Sequence, residues 1–160
     1  MDDWRRFTNK MLFHARTHLQ LWQQHEDTMA CVFRDACLHS MSKAYQSLLA
    51  EILVVYQVRV SHLPDLNEAS LLLQKKQKIS SELTYLQELE QKQGWLSDLQ
   101  RAYHESLLPA FGESGAGINR GGLSLKIVDE SLLTTVVDMK RVYEALVEFV
   151  TYSRNYSLEW

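Results

Sequence analysis

Glycine and proline are scarce, with six and two among 160 residues, which argues against a fold of many short strands joined by tight turns. Cysteine is limited to Cys31 and Cys37. On one helix, six positions separate their Cα atoms by about 9 Å along the axis, beyond the ~7 Å that a disulfide bridges. The spacing also misses the two-to-four-residue intervals of zinc-binding cysteine pairs, so two buried or half-buried free thiols are expected. No stretch carries charge of one sign: 17 basic and 20 acidic residues are spread along the chain, for a net charge of −3. Without a basic stripe to neutralise a phosphate backbone, nucleic acid is not an expected partner. No apolar run approaches the about 20 residues that cross a bilayer, because the longest, Leu48 to Val60, is interrupted by Glu51, Gln57 and Arg59. The start, Met1-Asp2-Asp3-Trp4-Arg5-Arg6, lacks the basic-then-apolar order of an export signal. A cytoplasmic protein with no membrane association is the expectation.

What is present is helical periodicity. Hydrophobic residues make up 46% and charged residues 23% of the chain, a globular balance in a length suited to one domain over residues 1–160. At 100° per residue, Trp4, Phe7, Met11, Leu12, Ala15, Leu19, Leu21 and Trp22 share one arc, opposite Arg5, Arg6, Asn9, Lys10 and Arg16. This predicts a first helix over 4–26. A second, starting near Asp27 or Thr28 and reaching Val60, carries a wide stripe from Cys37 through Met41, Ala44, Tyr45, Leu48, Leu49, Ile52 and Val55 to Tyr56. It reads as the central helix. Pro64 ends that region and Asp65 is placed to cap the next helix. Over 66–91 the pattern thins to a seam at Leu72, Ile79, Leu83 and Leu86 flanked by Gln, Lys and Glu, as on an outer helix or a coiled-coil arm. Gly94 marks a break before a short helix that stops ahead of Pro109.

Five of the six glycines lie between 112 and 122, which predicts a flexible linker there. Gly115-Ala116-Gly117-Ile118-Asn119-Arg120-Gly121-Gly122 follows no strand and lacks Gly-Lys-Ser/Thr, so a phosphate-cradling loop is not expected. A weakly alternating stretch at 123–128 has no partner strand. Asp129 or Ser131 is the expected cap of a last helix with Leu132, Val136, Met139, Tyr143, Leu146 and Val150 on its core line. The fold class is therefore all-α: an antiparallel bundle of four to five helices with a long glycine-containing loop before the last.

Three patterns bear on chemistry. His14, His18 and His25 fall on the presumed buried side of the first helix, and positions four apart can grip one metal from a single helix. His14 and His18 are the metal candidates. No second helix offers a completing pair, and histidines packed at the bundle edge are the plainer reading, with no metal or other cofactor expected. Arg34-Asp35-Ala36-Cys37-Leu38-His39 resembles the Arg, polar, three-residue, His pattern of the HEPN nucleases. That resemblance implies RNA cleavage or partnership with a nucleotidyltransferase, using Arg34 to stabilise phosphate and His39 as acid or base. Residues five apart on a straight helix point about 140° from each other, so the pair converges only through a distortion or a second chain. The third pattern is the 66–91 seam, where Leu72, Ile79, Leu83 and Leu86 are the candidate interface residues for a homodimer.

A further resemblance rests on Arg6-Phe7-Thr8-Asn9-Lys10-Met11-Leu12-Phe13-His14-Ala15-Arg16, on Arg34-Asp35-Ala36-Cys37-Leu38-His39, on Gly94-Trp95-Leu96 with Ala102-Tyr103, and on Ser157-Leu158-Glu159-Trp160. Together these resemble a family of short bacterial helical proteins of unknown function. The resemblance implies one full-length helical domain in a bacterium and transfers no functional residue. The preferred functional reading is a non-catalytic interaction or scaffold protein that associates with itself or with a protein partner. The HEPN-like enzyme is its rival, and a metal-binding bundle comes third.

Overall fold

The computed structural model describes residues 2–25, 27–109 and 132–156, and every regular element among them is a helix. These are α1 (Asp2–Gln24), α2 (Ala30–Val55), α3 (Leu66–Lys75), α4 (Ser81–Gln91), α5 (Trp95–Ser106) and α6 (Val136–Tyr156). Six helices among the described residues exceed the four to five expected. The extra one arises because 66–91 is two helices rather than one arm. The glycine-rich stretch from 110 onward, the weakly alternating 123–128 and the caps expected at Asp129 or Ser131 lie outside the described residues.

Helix α2 is the axis of the fold. It packs against α1, α3, α5 and α6, while α4 lies on α3 and α5, and α6 also meets α1 and α5. The reason lies in its sequence: Leu38, Met41, Ala44, Leu48, Leu49, Ala50 and Leu53 are all fully buried, and they cover most sides of the helix rather than one face. Each large side chain of that set contributes about 1.5–3 kcal/mol of burial. Ser47 is buried as well. Its hydroxyl donates to the Trp4 carbonyl (3.0 Å) and accepts from Thr8 Oγ1 (2.9 Å), so the contact between α1 and α2 carries a satisfied polar pair. From α1, Met11, Ala15, Leu19 and Trp22 enter the core as their periodicity predicts.

The ends of α2 and α3 share one device. Gln57 and Gln77 take left-handed φ values of 61° and 54°. After α2, the Val58 N–H donates to the Leu53 carbonyl and the Gln57 N–H to the Val54 carbonyl; after α3, Lys78 and Gln77 donate likewise to Leu73 and Gln74. Both are Schellman closures made with glutamine where glycine is usual. Helix α2 therefore ends at Val55 rather than Val60, and the seam is cut after Lys75. Downstream, Asp65 Oδ1 accepts from the Glu68 N–H at 2.7 Å and caps α3 as expected. Ser80 caps α4 through the Leu83 N–H at 3.3 Å. Gly94 precedes α5, where Ser97 Oγ accepts the Gly94 N–H at 3.1 Å.

Helix α6 starts at Val136, later than expected, with Thr135 Oγ1 accepting from the Asp138 N–H at 3.1 Å. Met139, Val142, Leu146, Phe149 and Val150 face the core. Near its far end, Arg154 forms a two-pronged ion pair with Glu51 of α2, Nε to Oε2 at 3.0 Å and Nη2 to Oε1 at 2.9 Å, and its Nη1 donates to Asn9 Oδ1 of α1. The two charged side chains are only 19% and 12% exposed. One guanidinium thus ties three helices together through charge-assisted bonds.

Candidate functional site

Arg34 and His39 lie on α2, which is continuous from Ala30 to Val55. Arg34 is used in place: Nε donates to the Leu133 carbonyl at 2.9 Å and Nη2 to the Leu132 carbonyl at 2.6 Å, with Nη1 3.2 Å from Asp35 Oδ1. Leu133 is itself in the left-handed region at φ 57°. The guanidinium therefore clamps the strained turn that leads into α6. His39 is exposed and turned to α5, with Nδ1 3.4 Å from the Tyr103 hydroxyl. The chain engages the two candidates with different partners and does not bring them together.

His14 and His18 do meet, their rings 6.5 Å apart edge to face. Both are half-buried, whereas His25 is exposed and lies beside Phe33. No group of three or more His, Cys, Asp or Glu side chains suited to a metal occurs among the described residues, and two imidazoles leave a tetrahedral ion two ligands short. Burial, and next the neighbouring His14, lower the pKa of His18 below the ordinary value of 6.5. Its Nδ1 is buried without a hydrogen-bond partner. Both cysteines are free; Cys37 is buried, but Cys31, expected to be at least half-buried, is exposed near the start of α2. Burial pushes the Cys37 thiol up to about 12, which makes it an inert core group.

The four candidate interface residues separate. Leu83 and Leu86 are buried within the chain's own core at 3% and 0% exposure, and Leu72 packs partly against that core, whereas Ile79 is 87% exposed. The four do not form one continuous stripe, because the break after α3 separates them and α4 turns Leu83 and Leu86 into the chain's own core. Ile79 stands in the turn between α3 and α4, at the lip of a groove of about 320 Å³ floored by Leu73 and Leu83 and edged by Ser70, Gln74, Thr84 and Gln87.

A second concave surface escaped sequence reasoning. Tyr85 of α4, Trp95 of α5 and Ala145, Glu148, Phe149 and Tyr152 of α6 line a cleft of about 360 Å³. Phe149 is its buried hub, 5% exposed. Around it stand Tyr85, Trp95 and Tyr152, with ring centroids 5.9, 6.4 and 6.1 Å from that of Phe149. Tyr85 and Tyr152 remain 47% and 51% exposed. In the sequence, only the three-residue spacing of Phe149 and Tyr152 places two of the cleft's rings on one side of α6. Trp95 and Tyr85 join them only in three dimensions.

No helix among the described residues is long and apolar enough to cross a membrane. The model of a family of unknown function, DUF6586, matches residues 1–160. No curated protein and no solved structure matches the chain.

Proposed function

Because the chain belongs to that family of unknown function, we propose from its own surfaces that it is a non-catalytic interaction protein. In this reading one domain spans 1–160, its helices run as an antiparallel bundle in the bacterial cytoplasm, and two copies pair through the α3–α4 arm. The observation that carries the reading is Ile79, 87% exposed beside a groove of about 320 Å³. An isologous contact sets Ile79 of each copy into the groove of the other. The rival readings have less support: the Arg34 guanidinium is occupied by the Leu132 and Leu133 carbonyls, and His14 and His18 have no third ligand beside them among the described residues.

Magnitudes bound the strength of the pairing. Two isoleucine side chains contribute roughly 1.5–3 kcal/mol each on burial, against an association cost of about 4 kcal/mol or more. Ile79 alone does not hold a tight dimer, and the surrounding polar rim adds little. The balance is at most about 2 kcal/mol, a dissociation constant of tens of millimolar, so the pairing shows only at high protein concentration. The test is Ile79→Lys. The side chain makes no contribution to the core, so the variant keeps the wild-type melting temperature while its self-association disappears. A variant that associates as strongly as the wild type contradicts the reading. Leu83→Lys is unsuitable for the purpose, because it places a charge in the core and unfolds the chain.

A further inference from the structure

We propose that the aromatic cleft between α4, α5 and α6 binds a small quaternary ammonium cation of the choline type. This goes beyond pairing through Ile79 and rests on different residues. Three rings, those of Tyr85, Trp95 and Tyr152, stand about a fourth, the buried Phe149, with centroids 5.9 to 6.4 Å from it. Glu148 lines the same cleft, is exposed, and makes no ion pair or hydrogen bond with any described residue.

Charge complementarity selects the ligand. Aromatic faces carry negative potential and attract cations within about 6 Å of the ring centroid. A free carboxylate at the same place adds attraction for a cation and repels an anion. A neutral apolar ligand would cover Glu148 without offering it a partner, which costs free energy. Among cations, a primary ammonium is strongly hydrated and needs three acceptors. The cleft lining provides one carboxylate and the tyrosine hydroxyls. A trimethylammonium group needs no hydrogen bond, spreads its charge over methyl groups and packs against rings. The volume of about 360 Å³ lies at the small end of ligand pockets and suits a head group with a short tail. A zwitterion whose own carboxylate would lie near Glu148 is disfavoured, so the ligand is a monocation.

The experiment titrates the full chain with choline chloride, at ionic strength held constant with NaCl, and follows the indole N–H resonance of Trp95. That resonance is assigned by its loss in Trp95→Phe. Saturable shifts are expected with choline. The neutral isostere 3,3-dimethylbutan-1-ol binds at least about tenfold more weakly, equivalent to about 1.4 kcal/mol, and glycine betaine is weaker than choline. Glu148→Gln and Tyr152→Ala each weaken choline binding about three- to tenfold; the unfolding curve of Glu148→Gln stays that of the wild type, and Tyr152→Ala remains folded with a small loss of stability from its contact with Phe149. Ile79→Lys binds choline as the wild type does, so failure of the pairing contact and failure of the cleft are read separately. Equal binding of the neutral isostere, shifts undiminished in both cleft variants, or no saturable shift up to about 100 mM overturns the proposal. So does binding of a trimethyl-lysine peptide or of phosphatidylcholine vesicles where free choline fails, since the cleft would then be serving a macromolecular surface.

Discussion

Replacing Arg34 by alanine separates a structural clamp from a phosphate-binding arginine. The wild-type guanidinium donates to two main-chain carbonyls, Leu133 at 2.9 Å and Leu132 at 2.6 Å, and its side chain is 16% exposed. Bonds to a charged donor are worth about 1.5–3 kcal/mol each when lost from a buried setting. Water reaches part of this site and recovers some of that. Leu133 at φ 57° adds strain of about 1–2 kcal/mol that the clamp holds in place. The net cost of Arg34→Ala is then about 2–4 kcal/mol, a fall in melting temperature of roughly 5–15 °C. Arg34→Lys keeps the charge but not the fork, and recovers at most about half of the loss. Urea unfolding measures the cost, and hydrogen exchange at 134–140 localises it. If Arg34→Ala unfolds within about 0.5 kcal/mol of the wild type, the clamp carries no stability and the arginine is free for another role.

Other consequences are equally direct. Gln57→Gly relieves an exposed residue at φ 61° and stabilises by roughly 0.5–1 kcal/mol in chemical denaturation, the left-handed cost less the entropy of glycine; a loss of stability would mean that the glutamine side chain supports the turn. At pH 8 a thiol reagent modifies Cys31 in the native protein, while Cys37, buried and raised to about 12, reacts only in denaturant; rapid modification of both would show that the junction of α1 and α2 opens. Burial and His14 hold the His18 pKa below its ordinary 6.5, so the unfolded chain takes up the proton first. The stability present above pH 6.5 is lost as pH falls through the lower folded value, and His18→Leu flattens that slope; an unchanged slope in the variant refutes the assignment.

The long helices were legible because burial repeats along them. Met11, Ala15, Leu19 and Trp22 line one face of α1, and Cys37, Met41, Ala44, Leu48 and Ile52 do the same in α2. Helix ends were less so. Glycine is the usual mark of a left-handed closure, and here Gln57 and Gln77 take that role, so a break between α3 and α4 left no trace in composition. The seam at Leu83 and Leu86 is apolar in the sequence as in the fold, yet a stripe cannot say whether it meets its own chain or another. Histidines 14 and 18 fall on the inner side by periodicity and sit half-buried. Arg34 looked like chemistry because residue type and spacing resemble a motif; only the position of the Leu132 and Leu133 carbonyls, almost a hundred residues on, shows what it holds. The aromatic cleft was hidden for a related reason, since Tyr85, Trp95 and Phe149 come from three helices.

Pairing of two copies through Ile79 is read out by sedimentation of the wild type from about 10 µM to about 1 mM. The weight-average mass is expected to equal that of one chain at low concentration and to rise a few per cent above it near about 1 mM, with a flat monomer trace for Ile79→Lys. A wild type that remains monomeric throughout, or a dimer that persists in Ile79→Lys, contradicts that pairing.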